Sequence, residues 1–448
     1  MIPVMVDYAS PSVFESTRNS AIVGLAANAR RPVRFHGRVV QNLFTLRIAL
    51  RALGEVIWSD DAWFGDGAIL DPVVTVHPDR LFFEAFSQDQ SAYGLLIVDP
   101  AIFETEGDLR TGTTNVDFTA WLWAALGEMR SSRQTWFRVE AGGFEVRTVG
   151  AGGRFEQKVE LPDAWVRGFL QLQGAMALPG TRVRCRPVDL LAAIRYLRFT
   201  KARVSPRALR YEFEPDRPVC LVLEPWEHPI TLRDANHNYT EPRTIRTWGR
   251  RRLRLIEPLL PFAESVDIYL KGRALPSFYA VKLAGMTFVL GLTGWSSQKW
   301  TETASFDLST RGGGDDPGQL ARAGDWLAAR YVAGIDELSA ELGITKEAAA
   351  RLLERLCRQG KAVFDVESRR FRHRELFESP IDEAKLYPPD VRRERMQVLL
   401  DQERVHVKSA LPRETVKTKK LKTPDGTRTR QVIYRDWQIS GSAGDQKA

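Results

Sequence analysis

Five arginines fall within nine residues in the stretch RTWGRRRLR, at Arg246, Arg250, Arg251, Arg252 and Arg254. A guanidinium keeps its charge and presents a planar fork of donors that matches phosphate and carboxylate oxygens. Such density points to a polyanion or an acidic partner rather than to bond-making chemistry. A second candidate is EPWEH, where Glu224, Glu227 and His228 have the types for acid–base work or metal binding. It follows an apolar run, LVLEP, and enters a proline-bounded turn, so a structural role is the expectation there. The stretch GWSSQKWTETASFD (294–307) carries hydroxyls and two tryptophans, but no histidine to activate them, and reads as core packing. No GxSxG, HExxH or Walker signature occurs. We expect no catalytic residues, no enzyme and no cofactor.

Cys185, Cys220 and Cys357 are far apart and the six histidines are scattered, so neither a disulfide framework nor a metal site is expected. Lys+Arg number 64 against 56 Asp+Glu, a net charge of +8 that suits a polyanionic partner. A hydrophobic fraction of 44% over 448 residues belongs to a globular chain with several cores. No apolar run approaches the roughly 18–20 residues needed to span a bilayer, and the first residues lack a secretory signal pattern. The expectation is a cytoplasmic protein without a membrane partner.

The elements that must position the arginines recur in one order. PVRFHGR precedes the helical run QNLFTLRIALRALGEVI, and VVTVHP, RLFFEAFSQ and YGLLIVD follow as strands. The order returns at TGTTNV–DFTAWLWAALGEMRSS, at TRVRCRP–VDLLAAIRYLRFT and at EPRTIR–TWGRRRLRLIEPLL, each with three strand-like segments behind it. The fold class is α+β, with four β-α-β-β-β units across residues 32–292. An extra amphipathic helix, DAWVRGFLQLQGAMA, separates the second unit from the third. Repeats of one unit bury their apolar faces on each other.

This order resembles the sliding clamps of DNA replication, whose domains each hold two such units. The resemblance implies helices facing inward around DNA and a homo-oligomeric ring. On that reading Arg47 and Arg51 share a face of the first helix. Arg195, Arg198 and Lys201 lie opposite the stripe Leu190, Leu191, Ile194 and Leu197, and the cluster from Arg246 to Arg254 serves the fourth unit. All would contact the phosphate backbone. The second helix departs from the pattern, with Trp121, Trp123 and Leu126 and only Arg130 and Arg133 at its end.

STRGGGDDPG (309–318) lacks GK[ST] and reads as a linker. Beyond it, QLARAGDWLAARYVAG, IDELSAELG and TKEAAARLLERLCRQG read as three helices, with Gly343 at a turn and Thr345 as N-cap. KAVFDVESRRFRHREL follows as strand–turn–strand, which together make a winged helix. Lys346 and Arg351 would lie on its third helix, and Arg369, Arg370 and Arg372 on its wing. KTKKLKTPDGTRTRQVIYRDWQIS reads as a β-hairpin turning at 424–426, with Lys417, Lys419, Lys420 and Lys422 on one arm. A solvated, lysine-protected edge strand is the alternative to a nucleic-acid grip there.

VDPAIFETEG, ALRYEFEP, RTWGRRRLRLIEPLLP, LPSFYAV, FVLGLTGW and the segment ending FRHREL together resemble the bacterial SWIM zinc-finger family. That resemblance implies a setting of defence or stress and an association with MoxR-type AAA+ ATPases. Members finish with a CxC…CxH finger, whereas here no cysteine follows Cys357. No zinc ligand is carried over, and a separate SWIM-finger polypeptide becomes a candidate partner.

The expected organisation is an N-terminal extension (1–31), a first clamp-like domain (32–162), a connecting helix (163–180) and a second clamp-like domain (181–308). A linker (309–318), a winged helix (319–380) and a basic hairpin with tail (381–448) complete it. The expected function is non-enzymatic association with DNA, mainly through its backbone. The alternative is a protein–protein adaptor working with an AAA+ ATPase.

Overall fold

The computed structural model describes residues 13–17, 20–24, 33–58, 72–115, 126–140, 143–149, 163–272, 275–294, 300, 317–376, 405–423, 426–443 and 446–447. The chain opens with β1 (Val13–Thr17), β2 (Ser20–Gly24), β3 (Phe35–Val39) and α1 (Leu43–Trp58). β4 (Val73–Val76), β5 (Leu81–Phe86), β6 (Ala92–Val98), β7 (Phe103–Thr105) and β8 (Gly112–Asn115) follow. Next come β9 (Thr135–Glu140), β10 (Gly143–Val149), α2 (Asp163–Ala177), β11 (Thr181–Cys185) and α3 (Pro187–Phe199). β12 (Leu209–Phe213), β13 (Cys220–Leu223), β14 (His228–Thr231) and β15 (Arg243–Thr247) lead to a 3₁₀ helix, Arg250–Phe262. β16 (Ser265–Leu270), β17 (Ser277–Leu283) and β18 (Met286–Leu292) close this part. The order strand–helix–three strands is therefore present at β3–β6, at β11–β14 and at β15–β18. Most of the helix expected near 117–133 lies outside the described residues.

An eight-stranded sheet in the order β11-β16-β17-β18-β6-β5-β4-β8 forms the centre. β6 and β18 join its halves through seven antiparallel pairs, from Met286↔Val98 to Leu292↔Ala92. Both strands are apolar runs, AYGLLIV and MTFVLGL, and every residue of each is buried. Such runs require cover on both faces. On one face Leu96, Val98, Phe288 and Leu290 meet Leu46, Leu50, Leu53 and Val56 of α1 and Leu253, Ile256 and Leu259 of the 3₁₀ helix. The alternate residues Tyr93, Leu95, Ile97 and Val289 meet Phe169 and Leu172 of α2 on the other. Gly94 permits the close seat of α1, because a Cβ there would lie 2.9 Å from Leu53 Cδ1.

Two further sheets flank the centre, β14-β13-β12-β15 and β1-β2-β10-β9-β3-β7. Residues 1–31, expected as an extension, thus contribute the hairpin β1–β2, which adds to β10. The α-helix expected over RRRLRLIEPLL is instead of 3₁₀ form, with Pro258 and Pro261 inside it. Proline lacks the amide proton that an α-helical ladder needs in a helix interior. At three residues per turn, Leu253, Ile256 and Leu259 stack on the buried side, while Arg251 and Arg254 stack on an exposed one. Gly249, at φ 85°, turns the chain into it.

The C-terminal part contains α4 (Pro317–Arg330), β19 (Val332–Ala333), α5 (Ile335–Leu342), α6 (Lys346–Arg358), β20 (Ala362–Asp365) and β21 (Arg370–His373). The strands pair as β19-β21-β20. Thr345 Oγ1 accepts from the Ala348 amide at 3.2 Å and so caps α6, and Gly343, at φ 64°, ends α5. This unit packs against the rest of the chain. Leu352, Leu353 and Leu356 of α6 share a core with α2 and with the outer face of the central sheet. The Phe364 amide donates to Gln173 Oε1 of α2 at 2.8 Å. Arg374 pairs with Glu84 of β5, both fully buried, and the Tyr93 hydroxyl donates to Glu84 Oε1 at 2.6 Å. Residues 309–316 and 377–404 lie outside the described residues. Beyond them β22 (Val405–Thr423), β23 (Gly426–Ala443) and β24 (Gln446–Lys447) form a separate sheet.

Two outcomes test this seat. Arg374→Met leaves the Glu84 carboxylate buried without its counter-charge, and we expect it to cost about 3–5 kcal/mol in urea unfolding. Glu84→Gln/Arg374→Met removes both charges and should recover most of that loss. His77 lies buried beside Phe82 and Tyr331, and its Nδ1 has no hydrogen-bond partner. Burial, then the Arg372 charge, lowers its pKa from 6.5 to about 4, against smaller opposing effects of Asp79 and the His373 backbone. Between those values the unfolded chain binds a proton that the folded chain refuses. Stability therefore falls as pH drops through 6.5, by about 3 kcal/mol on reaching pH 4. His77→Phe should remove that component from unfolding curves measured across the window.

Candidate nucleic-acid interface

The 3₁₀ helix touches α1 on one side and α3 on the other, so the three lie in one layer. Several basic side chains of these elements reach the surface of this layer. Arg51 of α1, Arg195 and Arg198 of α3, and Arg251 and Arg254 of the 3₁₀ helix are all exposed there, and Lys201 follows just beyond α3. The acids of these helices that reach the same layer are Glu55 and Glu257. Arg198 Nη1 lies 3.4 Å from the Glu257 carboxylate, but the arginine is largely exposed, so that pair contributes little. Arg47 is half-buried instead. Its Nη1 donates to the Met129 carbonyl at 2.9 Å, and its guanidinium lies 4.9 Å from the Phe44 ring centroid.

The five clustered arginines divide. Arg246 Nε donates to Glu224 Oε1 at 2.9 Å. Arg250, 9% exposed, donates to the Glu224 carbonyl and lies 4.9 Å from the Trp226 ring centroid. Arg252 pairs with Asp89, in the loop before β6. Arg251 and Arg254 remain outward. The three-residue period is the reason, since it sets Arg250 on the same side as Leu253 and Ile256.

EPWEH is the anchor for this arrangement. Glu224 is 1% exposed and accepts from Arg210 Nη1 at 3.0 Å as well as from Arg246. Arg210 also holds Glu227 at 2.6 Å and Glu212 at 2.7 Å, and these bonds raise the arginine's pKa and lower that of Glu227. Carboxylates so engaged are structural partners of arginine. Burial, followed by repulsion from Arg207 and Arg251, lowers Arg250 to about 10.

The C-terminal unit divides its basic residues similarly. Arg351 and Arg369 are exposed, the latter in a turn at φ 56°. Lys346 is exposed and bonded to Asp336 at 2.8 Å, which raises its pKa. Arg370 Nη2 is held by Glu337 at 2.8 Å. Arg372, expected on a phosphate-gripping wing, is buried between Asp79 at 2.8 Å and Asp365 at 3.2 Å. The outer face of the central sheet covers it.

The strands β22 and β23 pair on either side of the turn expected at 424–426, with Lys417↔Val432, Lys419↔Arg430, Lys420↔Thr429 and Lys422↔Thr427 in register. The distal half of this ribbon, 417–430, carries six basic residues against one acid, Asp425. In its proximal half Arg413↔Asp436 and Glu414↔Arg435 place opposite charges in register.

Two features escaped the reading of the sequence. Arg207 was not singled out, although it closes the basic stretch KARVSPR. Phe199 is 82% exposed, and its place off the stripe Leu190, Leu191, Ile194 and Leu197 was the available signal.

No family model matches the chain, and no curated protein matches it. Among solved structures it is similar to the Proliferating Cellular Nuclear Antigen from Entamoeba histolytica, at 13% identity, over 58% of this chain and 98% of that one. The TM-score is 0.39, a likeness too loose to bear on function.

The division of the arginines has a measurable consequence. Glu224→Ala strips Arg210 and Arg246 of a shared buried partner and should lower stability by about 3 kcal/mol. Arg251→Ala removes an exposed charge and should stay within about 0.5 kcal/mol of the parent. Denaturant midpoints at constant slope read both.

Proposed function

We propose that this chain is a non-enzymatic, nucleic-acid-associated protein that meets the phosphate backbone with the layer formed by α1, the 3₁₀ helix and α3. The observation that supports this reading is that Arg51, Arg195, Arg198, Arg251 and Arg254 are exposed on three elements that pack on one another, with few acids on those elements. Arginines spread over three adjacent elements suit an extended polyanion better than a compact ligand. Backbone contacts of this kind are electrostatic and indifferent to base sequence. In this proposal the C-terminal unit is a winged helix used chiefly for seating on the body, since α2 packs on its third helix and Arg372 is buried. The basic end of the ribbon adds further phosphate contacts. Closure of several copies into a ring around duplex DNA extends the same reading.

The rival reading, an adaptor for an AAA+ ATPase, has one observation in its favour. Phe44 and Phe262 are both exposed and meet edge to face at 5.4 Å between ring centroids, an apolar spot at one end of the layer. Isolated exposed aromatics mark protein-docking sites only where a larger patch surrounds them, and arginines flank this pair.

Fluorescence anisotropy on a duplex of about 30 base pairs, repeated across a salt series, tests the proposal. Each neutralised phosphate contributes about −0.9 to the slope of log K against log salt. Arg195→Ala/Arg251→Ala/Arg254→Ala should flatten the slope by about 2–3. Absence of binding at low salt would remove the nucleic-acid reading and leave the adaptor.

A further inference from the structure

Two departures from ordinary surface chemistry lie on elements that Tyr196 and Trp226 bring together, α3 and the entry to the 3₁₀ helix. The first is Phe199. A phenylalanine 82% exposed at a helix end leaves nearly its whole ring in water. Arg198 lies beside it, 5.9 Å from the ring centroid, and Lys201 and Arg203 follow. An apolar partner would desolvate those charges, which disfavours a hydrophobic protein interface at this spot.

The second is Arg250. Its guanidinium is largely buried and, among the described residues, pairs with no side-chain carboxylate; its contacts are a carbonyl and the Trp226 ring. The Glu224 carboxylate acts on it but is already bonded to Arg210 and Arg246, and an incoming anion would offset the remaining cost of burial. Arg207 precedes β12, and continuing the pairing Leu209↔Thr247 and Leu209↔Leu223 brings it beside Gly249 and Pro225. Arg207, Arg250 and Arg251 thus form one group of like charge. Burial, and then repulsion from Arg207 and Arg251, lowers the pKa of Arg250 to about 10, against an opposing pull from Glu224. Trp226 and Tyr196, at 5.5 Å between ring centroids, link this group to α3 one turn before Phe199.

The geometry points to a single-stranded nucleic-acid site at this corner, in which Phe199 stacks on a base and Arg207, Arg250 and Arg251 take the neighbouring phosphates. Stacking needs an unpaired base with an open face, which duplex DNA does not offer along its length. The inference rests on the proposed nucleic-acid association and adds to it a strand-state preference. Duplex would lie along the arginines of the layer, and a single strand or frayed end would turn onto Phe199.

The experiment uses the full chain with fluorescein-labelled dT12 and the 30-base-pair duplex, side by side. Phe199→Ala should weaken dT12 binding about tenfold, within the range of one lost base stack. It removes no charge, so the salt slope should hold and duplex affinity should stay at the parent value. Phe199→Trp should restore dT12 binding. Arg207→Ala/Arg251→Ala should flatten the dT12 salt slope by about 1.4, or about 0.7 per phosphate on a single strand. This variant spares the buried Arg250, and unfolding midpoints verify that all three variants fold.

Unchanged dT12 affinity in Phe199→Ala overturns the inference, as does an equal loss on duplex or a failure of tryptophan to restore binding. Poly-glutamate binding as tightly as dT12 also overturns it, since any polyanion would then serve. Duplex binding with its expected salt dependence alongside any of these results leaves the broader function standing. Binding of neither probe removes both.

Discussion

The antiparallel ladder between β6 and β18 is the constraint on which the rest of the molecule depends. Seven residues of each strand pair there, joining two halves of the chain almost 200 residues apart into one sheet. Neither AYGLLIV nor MTFVLGL offers a polar face, so the sheet must be covered on both sides. α1 and the 3₁₀ helix cover one side. α2 and the C-terminal helical unit cover the other. Which arginines remain in solvent, and on which surface, follows from that double cover.

Arginine has two opposed uses in this fold. Arg210, Arg246, Arg372 and Arg374 are drawn inward and matched with Glu224, Asp365 and Glu84, where desolvation offsets much of the Coulomb gain. Such pairs define geometry more than they add stability. Glu84 and Asp79 fix where the C-terminal unit sits on the sheet, and Glu224 fixes the entry into the 3₁₀ helix. The outward arginines, by contrast, have high dielectric around them and long flexible stems. Ion pairs they make there, such as Arg198 with Glu257, contribute little.

The same segregation appears in the C-terminal ribbon, whose stem matches charge across the strands while its distal half is nearly all positive. Lysines along a strand edge oppose edge-to-edge association. They also suit phosphate. In the proposed function, the basic layer, the ribbon and the corner at Phe199 are where a nucleic acid would find complementary charge. The corner alone adds an aromatic face, the feature that separates bases from phosphates.

Much of the element order was legible from residue pattern. Leucines at 43, 46, 50 and 53 marked α1, alternation marked the strands, and Thr345 marked the start of α6. These are local signals, set by the periodicity of a helix or strand and by capping chemistry. The composition around residues 195–254 likewise announced a basic region. What only the tertiary structure decided was which of those charges face solvent. Arg250, Arg251 and Arg252 are neighbours of one type, yet one lies against Trp226, one faces outward and one pairs with Asp89. The two prolines favoured a three-residue period over the expected 3.6, and that changed the side on which each arginine falls. Arg372 looked like a wing residue until its distant partner Asp79, 293 positions away, came beside it. A partner so remote leaves no mark in the local pattern, because burial and pairing depend on which surfaces the fold brings together.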